Sequence, residues 1–179
     1  GTITPLKQYG NPKPRVFRLV EDQALINRLG FNNHGAEVVR DRIKLENNSG
    51  LLGINIGPNK DTDDRLNDYL IGLKTFHEVA DYITINISSP NTENLRNFHD
   101  ESKLQALLKC ISKEKNDLNS KIPIAVKISP DIYEDQINQI SEILLENEIK
   151  AIIVSNTSEA TRDKLSNIQR HQKGGLSGK

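Results

Sequence analysis

The segment Asn86-Ile87-Ser88-Ser89-Pro90-Asn91-Thr92 closes an apolar run that begins at Tyr82. Its side chains are amides and hydroxyls, which donate and accept hydrogen bonds but carry no charge. That chemistry suits a planar, amide-bearing substrate better than a phosphate or a metal. Similar groups follow other apolar runs and turns: Asn32-Asn33-His34-Gly35-Ala36, Asn55 with Asn59-Lys60, and Ser155-Asn156-Thr157. An Asn side chain offers one acceptor and two donors, so several together can read a ring edge of alternating carbonyls and N–H groups. Taken singly, each Asn is more readily a turn or cap residue, and Ser88-Ser89-Pro90 a turn after a strand. The set as a whole points to a small-molecule enzyme. Lys127 lies in the apolar run Ile124-Ala125-Val126-Lys127-Ile128, where an unpartnered amine is costly. It either reaches solvent at a strand end or pairs with a carboxylate.

These residues need a frame. Residues 1–20, spaced by Pro5, Gly10, Pro12 and Pro14, read as an extended loop. The pattern predicts a short helix over Asp22–Leu29, stopped by Gly30, and a longer one from Gly35 to about Glu46 with Val38, Val39 and Ile43 inward. Leu51–Ile56 reads as a buried strand. Asp61 or Thr62 can cap a helix whose Leu66, Tyr69, Leu70, Leu73 and Phe76 share one face. Strand Tyr82–Ile87 follows, then a loop to about Asp100 and a helix carrying Leu104, Leu107, Leu108 and Ile111. Strand Ile122–Ile128 precedes a helix with Ile137, Ile140, Leu144 and Leu145 inward. Strand Ala151–Val154 leads into a polar tail ending Gly174-Gly175-Leu176-Ser177-Gly178-Lys179.

Strands alternating with helices imply parallel pairing, and the branched apolar runs suit strands covered on both faces. No Gly-x-Gly-x-x-Gly opens the first unit, which disfavours a dinucleotide-binding sheet. The chemistry-bearing residues follow the strands, as in barrel enzymes. The expected fold is therefore α/β, an incomplete (β/α)8 TIM barrel, since 179 residues fall short of the roughly 200 such a barrel needs.

Equal numbers of basic and acidic residues, 24 of each, interspersed along the chain, argue against nucleic acid as a partner. One cysteine, Cys110, excludes an internal disulfide and is compatible with a reducing compartment. No apolar run approaches the roughly 20 residues that span a bilayer, and the first residues have no signal-peptide pattern. His34, His77, His99 and Cys110 show no metal-ligand spacing, so no metal is expected.

Phe31-Asn32-Asn33-His34-Gly35, Asn55-Ile56-Gly57 with Asn59-Lys60-Asp61-Thr62, Asn86 to Thr92 with Leu95-Arg96, Val126-Lys127-Ile128, Ser155-Asn156-Thr157 and Gly174 to Gly178 occur in one order. With Pro14-Arg15-Val16-Phe17-Arg18, this series resembles the quinone-linked dihydroorotate dehydrogenases across essentially the whole chain. The resemblance implies an FMN barrel that oxidises dihydroorotate to orotate in pyrimidine synthesis and passes the electrons to a quinone. The soluble classes of that family carry a cysteine where this chain has Ser89, which implies the quinone-linked class.

By the same resemblance, Ser89 is the catalytic base. Asn32, Asn33, His34, Gly35, Ala36, Asn86, Asn91, Asn156 and Thr157 bind substrate, with residues 33–36 contributing backbone contacts. Asn55, Asn86, Lys127, Ser155, Ser177 and Gly178 hold FMN, with Lys127 against the flavin N1 and O2 edge and the Gly174–Gly178 loop laid over the ring. Arg18 lies near the quinone entrance, or is an ordinary surface arginine. Residues 1–179 would be the central part of one FMN-binding domain, with the first strand unit and the last two absent. Such a piece is expected to be inactive alone. The full-length enzyme would be a peripheral protein of the inner (cytoplasmic) membrane, docked through a segment absent from this chain. The resemblance leaves the oligomeric state open. A remnant serving as an interaction module, and an α-hydroxy-acid oxidase, are the competing readings; the second expects an Arg–His pair at strand ends that this sequence does not show.

Overall fold

A computed structural model describes residues 1–46, 50–92, 95–160 and 162–178. Among these residues, seven strands and four α-helices follow one another as β1 (Val16–Leu19), β2 (Ala24–Asn27), α1 (Ala36–Leu45), β3 (Gly53–Ile56), α2 (Arg65–Phe76), β4 (Tyr82–Asn86), α3 (Glu101–Asp117), β5 (Ile124–Lys127), α4 (Glu134–Glu146), β6 (Ala151–Ile153) and β7 (Gly175–Gly178). They build two sheets: a parallel one in the order β3-β4-β5-β6, and an antiparallel one in the order β1-β2-β7.

The parallel sheet is the predicted alternation made real, and its register sorts the side chains. Ile83 aligns with Ile124 and Ile85 with Val126; all four are buried and join Tyr69, Leu73, Phe76, Leu104, Leu107, Leu108 and Ile111 of the helices in one core. Burying a side chain of this size stabilises the fold by about 1.5–3 kcal/mol. The alternate positions, Asn55, Thr84, Asn86 and Lys127, carry polar groups, because successive strand residues point to opposite faces. Asn86 therefore lies directly beside Lys127. Ile3 adds a parallel bridge to Ile56 at the outer edge of β3, so the first residues are part of the sheet.

Several expectations are corrected. Asp22–Leu29 is not a helix: a turn over 20–23 leads into β2, whose Ile26 packs with Phe17 and Leu19 in a small separate core. Val16–Leu19 is likewise a strand rather than part of a loop. The glycine-rich end is not a polar tail, because Gly175–Gly178 pairs antiparallel with β2, Ala24 to Gly178 and Asn27 to Gly175. A partner about 150 positions away in the chain overrides local pattern here.

Asp64, not Asp61 or Thr62, caps α2, accepting from the Asn67 N–H at 2.9 Å. In α1, Val39 and Ile43 reach the core but Val38 is exposed. In α4, Ile137 and Leu145 face outward and Ile143 is buried instead, a rotation of the apolar stripe by part of a turn. Lys179 lies outside the described residues.

Candidate active site

The carboxyl ends of β3, β4 and β5 and the loop after β6 converge on a cavity of about 260 Å³. Its walls include Thr2, Asn32, Asn55, Asn86, Ser89, Asn91, Lys127, Asn156 and Thr157. Asn32, Asn86, Asn91 and Asn156 thus meet around Ser89, contributed by three separate stretches of chain. Lys127 is the one ionisable side chain among the described residues of this wall. A cavity of this size is slightly under the roughly 300–1,000 Å³ usual for drug-sized ligands and suits a single small ring.

A hydrogen-bond chain sets the amides. The Thr2 hydroxyl donates to Asn55 Oδ1 at 2.8 Å and accepts from Asn86 Nδ2 at 2.8 Å. Asn86 Oδ1 accepts from the Ser88 hydroxyl at 3.0 Å, and Ser88 Oγ accepts from Asn156 Nδ2 at 2.9 Å. Asn156 Oδ1 in turn accepts from the Thr157 N–H at 2.8 Å. Each member orients the next, so the donors and acceptors facing the cavity are held before any ligand arrives.

On the other wall, Asn91 Nδ2 donates to the Asn27 carbonyl at 3.1 Å, and the Asn91 N–H donates to Ser89 Oγ at 3.2 Å. Ser89 is 4% exposed and has no carboxylate or imidazole beside it in the described wall. Lys127 lines the cavity and makes no ion pair among the described residues, so the carboxylate partner allowed by the sequence is not seen there.

The strand end under these groups is propped from below. The Tyr69 hydroxyl donates to the Asn86 carbonyl at 2.7 Å, and burial pushes its ionisation far above the ordinary range. The Tyr69 ring meets Phe98 edge to face, with centroids 5.8 Å apart. His99 is buried and takes its N–H from Ser129 on Nε2 at 3.1 Å, so Nδ1 carries the proton that reaches the Arg96 carbonyl at 2.9 Å. Burial holds this ring toward neutrality and the Arg96 charge adds to that, while the bond to the Arg96 carbonyl works against both.

Not every expected site residue lines the cavity. Asn33 turns its amide to Thr4 Oγ1 at 2.7 Å and the Phe31 carbonyl at 2.8 Å, bracing the first residues of the chain. His34 contacts Arg42 and, with Gly35 and Ala36, borders a different groove beside α2. The Ser155 hydroxyl donates to the Asn156 carbonyl at 3.1 Å, away from the wall. Ser177 and Gly178 are strand residues paired with Leu25 and Ala24. Arg18 is exposed on β1.

Thr2 and Asn27 are site members that the sequence did not disclose. Thr2 had only its place in a Pro-spaced loop to mark it, and Asn27 acts through a main-chain oxygen, which any residue could supply.

Residues 1–179 match the family model described as Dihydroorotate dehydrogenase. The chain belongs to the dihydroorotate dehydrogenase family. A dihydroorotate dehydrogenase (quinone) of Bartonella tribocorum is 47% identical over 184 residues, covering all of this chain and 51% of that protein. One of Agrobacterium fabrum is 45% identical over 183 residues and is covered to 50%. A crystal structure of a dihydroorotate dehydrogenase from Eimeria tenella, in complex with ferulenol, superposes with a TM-score of 0.95 at 36% identity, over all of this chain and 55% of that one. The chain thus spans about half the length of these dihydroorotate dehydrogenases, and its parallel sheet is a four-stranded portion of their barrel.

Proposed function

We propose that this chain carries the substrate-binding and proton-accepting part of a quinone-linked dihydroorotate dehydrogenase, with FMN as the cofactor. The observation that carries the reading is the convergence of Asn32, Asn86, Asn91 and Asn156 on the cavity that also holds Ser89 and Lys127. The amides match the carbonyl and N–H edge of a dihydropyrimidine, and leaving a buried partner unmatched costs about 1–3 kcal/mol.

Ser89 accepts the proton from the ring carbon next to the one that is oxidised. Its Oγ is aimed by the Asn91 N–H, and its own hydroxyl proton passes to water, since no imidazole or carboxylate of the described wall can take it. The buried setting of Ser89 favours this transfer by excluding bulk solvent. The donor set also fits a flavin: Asn55 and Asn86 offer amides, and Lys127 beside Asn86 offers a cation where reduction builds negative charge. FMN, when bound, supplies the two-electron acceptor that the oxidation requires. Asn55, Asn86 and Lys127 are the residues of this wall that would hold it; Ser155, Ser177 and Gly178 are assigned to the same cofactor with less direct access to the cavity.

Quinone as the final acceptor, and association with the membrane surface, follow from the same reading. Among the described residues no helix is long and apolar enough to cross a membrane.

Calorimetric titration with orotate tests the binding half of this reading. Asn86→Ala, Asn91→Ala and Asn156→Ala each weaken orotate by about tenfold. Ser89→Ala leaves orotate affinity within about threefold but removes dihydroorotate oxidation in the enzyme that contains this chain. Absence of orotate binding by the unaltered protein overturns the reading.

A further inference from the structure

Arg96 lies outside the cavity wall, in a 3₁₀ turn over Leu95–His99. We propose that Arg96 is a positioning residue whose guanidinium latches the loop carrying Ser89 to the loop carrying Thr157, and so sets the distance between proton acceptor and substrate amides. The proposal rests on the dihydroorotate reading for its consequence, but not for its geometry.

The guanidinium reaches three strand-end loops at once. Nε donates to the Ser88 carbonyl at 3.3 Å, after β4, and Nη2 donates to the Thr157 carbonyl at 3.2 Å, after β6. Nη1 reaches Asp131 Oδ2 at 3.1 Å, after β5, and Glu159 Oε2 at 3.1 Å. Both carbonyls belong to residues next to, or part of, the proposed chemistry. A planar fork with five donors can serve four acceptors in three directions; an ammonium is a point charge and cannot.

The far side of the latch is equally tied. Asp131 accepts from the Glu159 N–H at 2.7 Å and from the Ser158 hydroxyl. Burial opposes ionisation of this carboxyl, but the Glu159 and Ser158 bonds and the Arg96 charge outweigh it and keep it below its usual value. The turn that carries Arg96 is itself held, by buried Leu95 and by the His99 ring bound to the Arg96 carbonyl. The Arg96 side chain is one-quarter exposed, so it is neither a free surface charge nor a core group.

Besides their strands, the loops after β4 and β6 share the bond from Asn156 Nδ2 to Ser88 Oγ at 2.9 Å, a single contact about which they can still pivot; a shift of about 1 Å at reacting atoms can cost about 100-fold in rate. The latch removes that freedom without touching substrate. An ordinary surface pair would leave no such trace, because it contributes little and holds nothing in place.

Hydrogen exchange, orotate titration and turnover in Arg96→Lys, Arg96→Ala and Asp131→Asn proteins test this. Arg96→Ala speeds exchange at the main-chain amides of 88–92 and 156–159 by about tenfold, with Ile83–Ile85 and α3 as protected as before. Arg96→Lys, which keeps the charge, recovers less than half of the lost protection. Asp131→Asn loosens chiefly 158–159. In the enzyme that contains this chain, Arg96→Lys lowers kcat by about 10- to 100-fold while KM changes less than about threefold. Unchanged exchange at 88–92 in Arg96→Ala, a uniform rise that includes β4 and α3, or full rescue by lysine overturns the latch. Loosened loops in a protein whose parent binds no orotate would uphold the latch and overturn the dihydroorotate reading instead.

Discussion

The two sheets meet at the same cavity but are held by different means. The parallel sheet rests on a continuous core shared with α1, α2, α3 and α4, from Ala36, Leu73 and Phe76 through Ile83 and Ile85 to Leu107, Ile111 and Ile140. The antiparallel sheet has a small core of three buried side chains, Phe17, Leu19 and Ile26, among the described residues, and is otherwise stitched by polar contacts. Asp22 accepts from Ser166 and Asn167 main-chain N–H groups at 2.8 and 3.0 Å, and Arg28 donates to Gln172 at 3.0 Å. Arg28 also stacks on the Phe17 ring at 4.5 Å. The parallel sheet therefore supplies rigid positions for side chains that do chemistry. The antiparallel one supplies a wall, through the Asn27 carbonyl, that can loosen without unfolding the rest.

Core truncation separates the two most sharply. Ile85→Ala should cost about 2–5 kcal/mol in global stability by urea unfolding, since Ile85 is fully buried in the large core. Ile26→Ala, equally buried, should instead speed exchange in β1, β2 and β7 while moving the main unfolding midpoint much less. A common shift of the midpoint in both variants would mean that the sheets form one cooperative unit.

The seam between the sheets can be strained at Gly175. A Cβ built there lies 1.8 Å from Thr157 Oγ1 and 3.1 Å from Pro90 Cγ, so Gly175→Ala must push β7 from the site or displace Thr157. Overpacking of this kind costs about 1–3 kcal/mol. The expected readout is weaker orotate binding with β4 still protected; unchanged affinity would show that β7 yields alone.

Within the polar network, Asn86→Ala leaves the Thr2 hydroxyl with its Asn55 acceptor alone and takes the acceptor from the Ser88 hydroxyl, at about 1–3 kcal/mol. Chemical denaturation of that variant measures the loss, and it should appear in the parallel sheet and not the antiparallel one.

The smallest effect is a pH dependence. His99 is held neutral by burial in the folded protein, so below about 6.5 the unfolded chain binds a proton that the folded chain resists. Stability should fall as pH drops from 6.5 toward the lowered folded value, and His99→Gln should flatten that slope. An identical acid limb in both proteins would assign it to other groups.

The sheet with a repeating core was legible before any coordinates. Ile83, Ile85, Leu104, Leu107, Leu108 and Ile111 announce strand and helix by spacing within a few residues of each other. The other sheet was not. Ala24–Asn27 is four residues long and Gly175–Gly178 has one apolar side chain, so neither carries a readable period. Their pairing is a contact between distant segments. The same division holds at the site: asparagines at strand ends were visible as types, whereas Thr2 and the Asn27 carbonyl matter through position alone. Ser155, Ser177 and Gly178 show the converse, residues marked by motif that lie away from the cavity.

The phenol beneath Asn86 has a consequence for alkaline conditions. Because burial raises the Tyr69 ionisation far beyond ordinary pH, its hydroxyl remains a donor to the β4 terminus wherever the protein stays folded. The scaffold is therefore silent to base at that point. A loss of turnover on the basic side in folded protein thus does not come from ionisation of Tyr69.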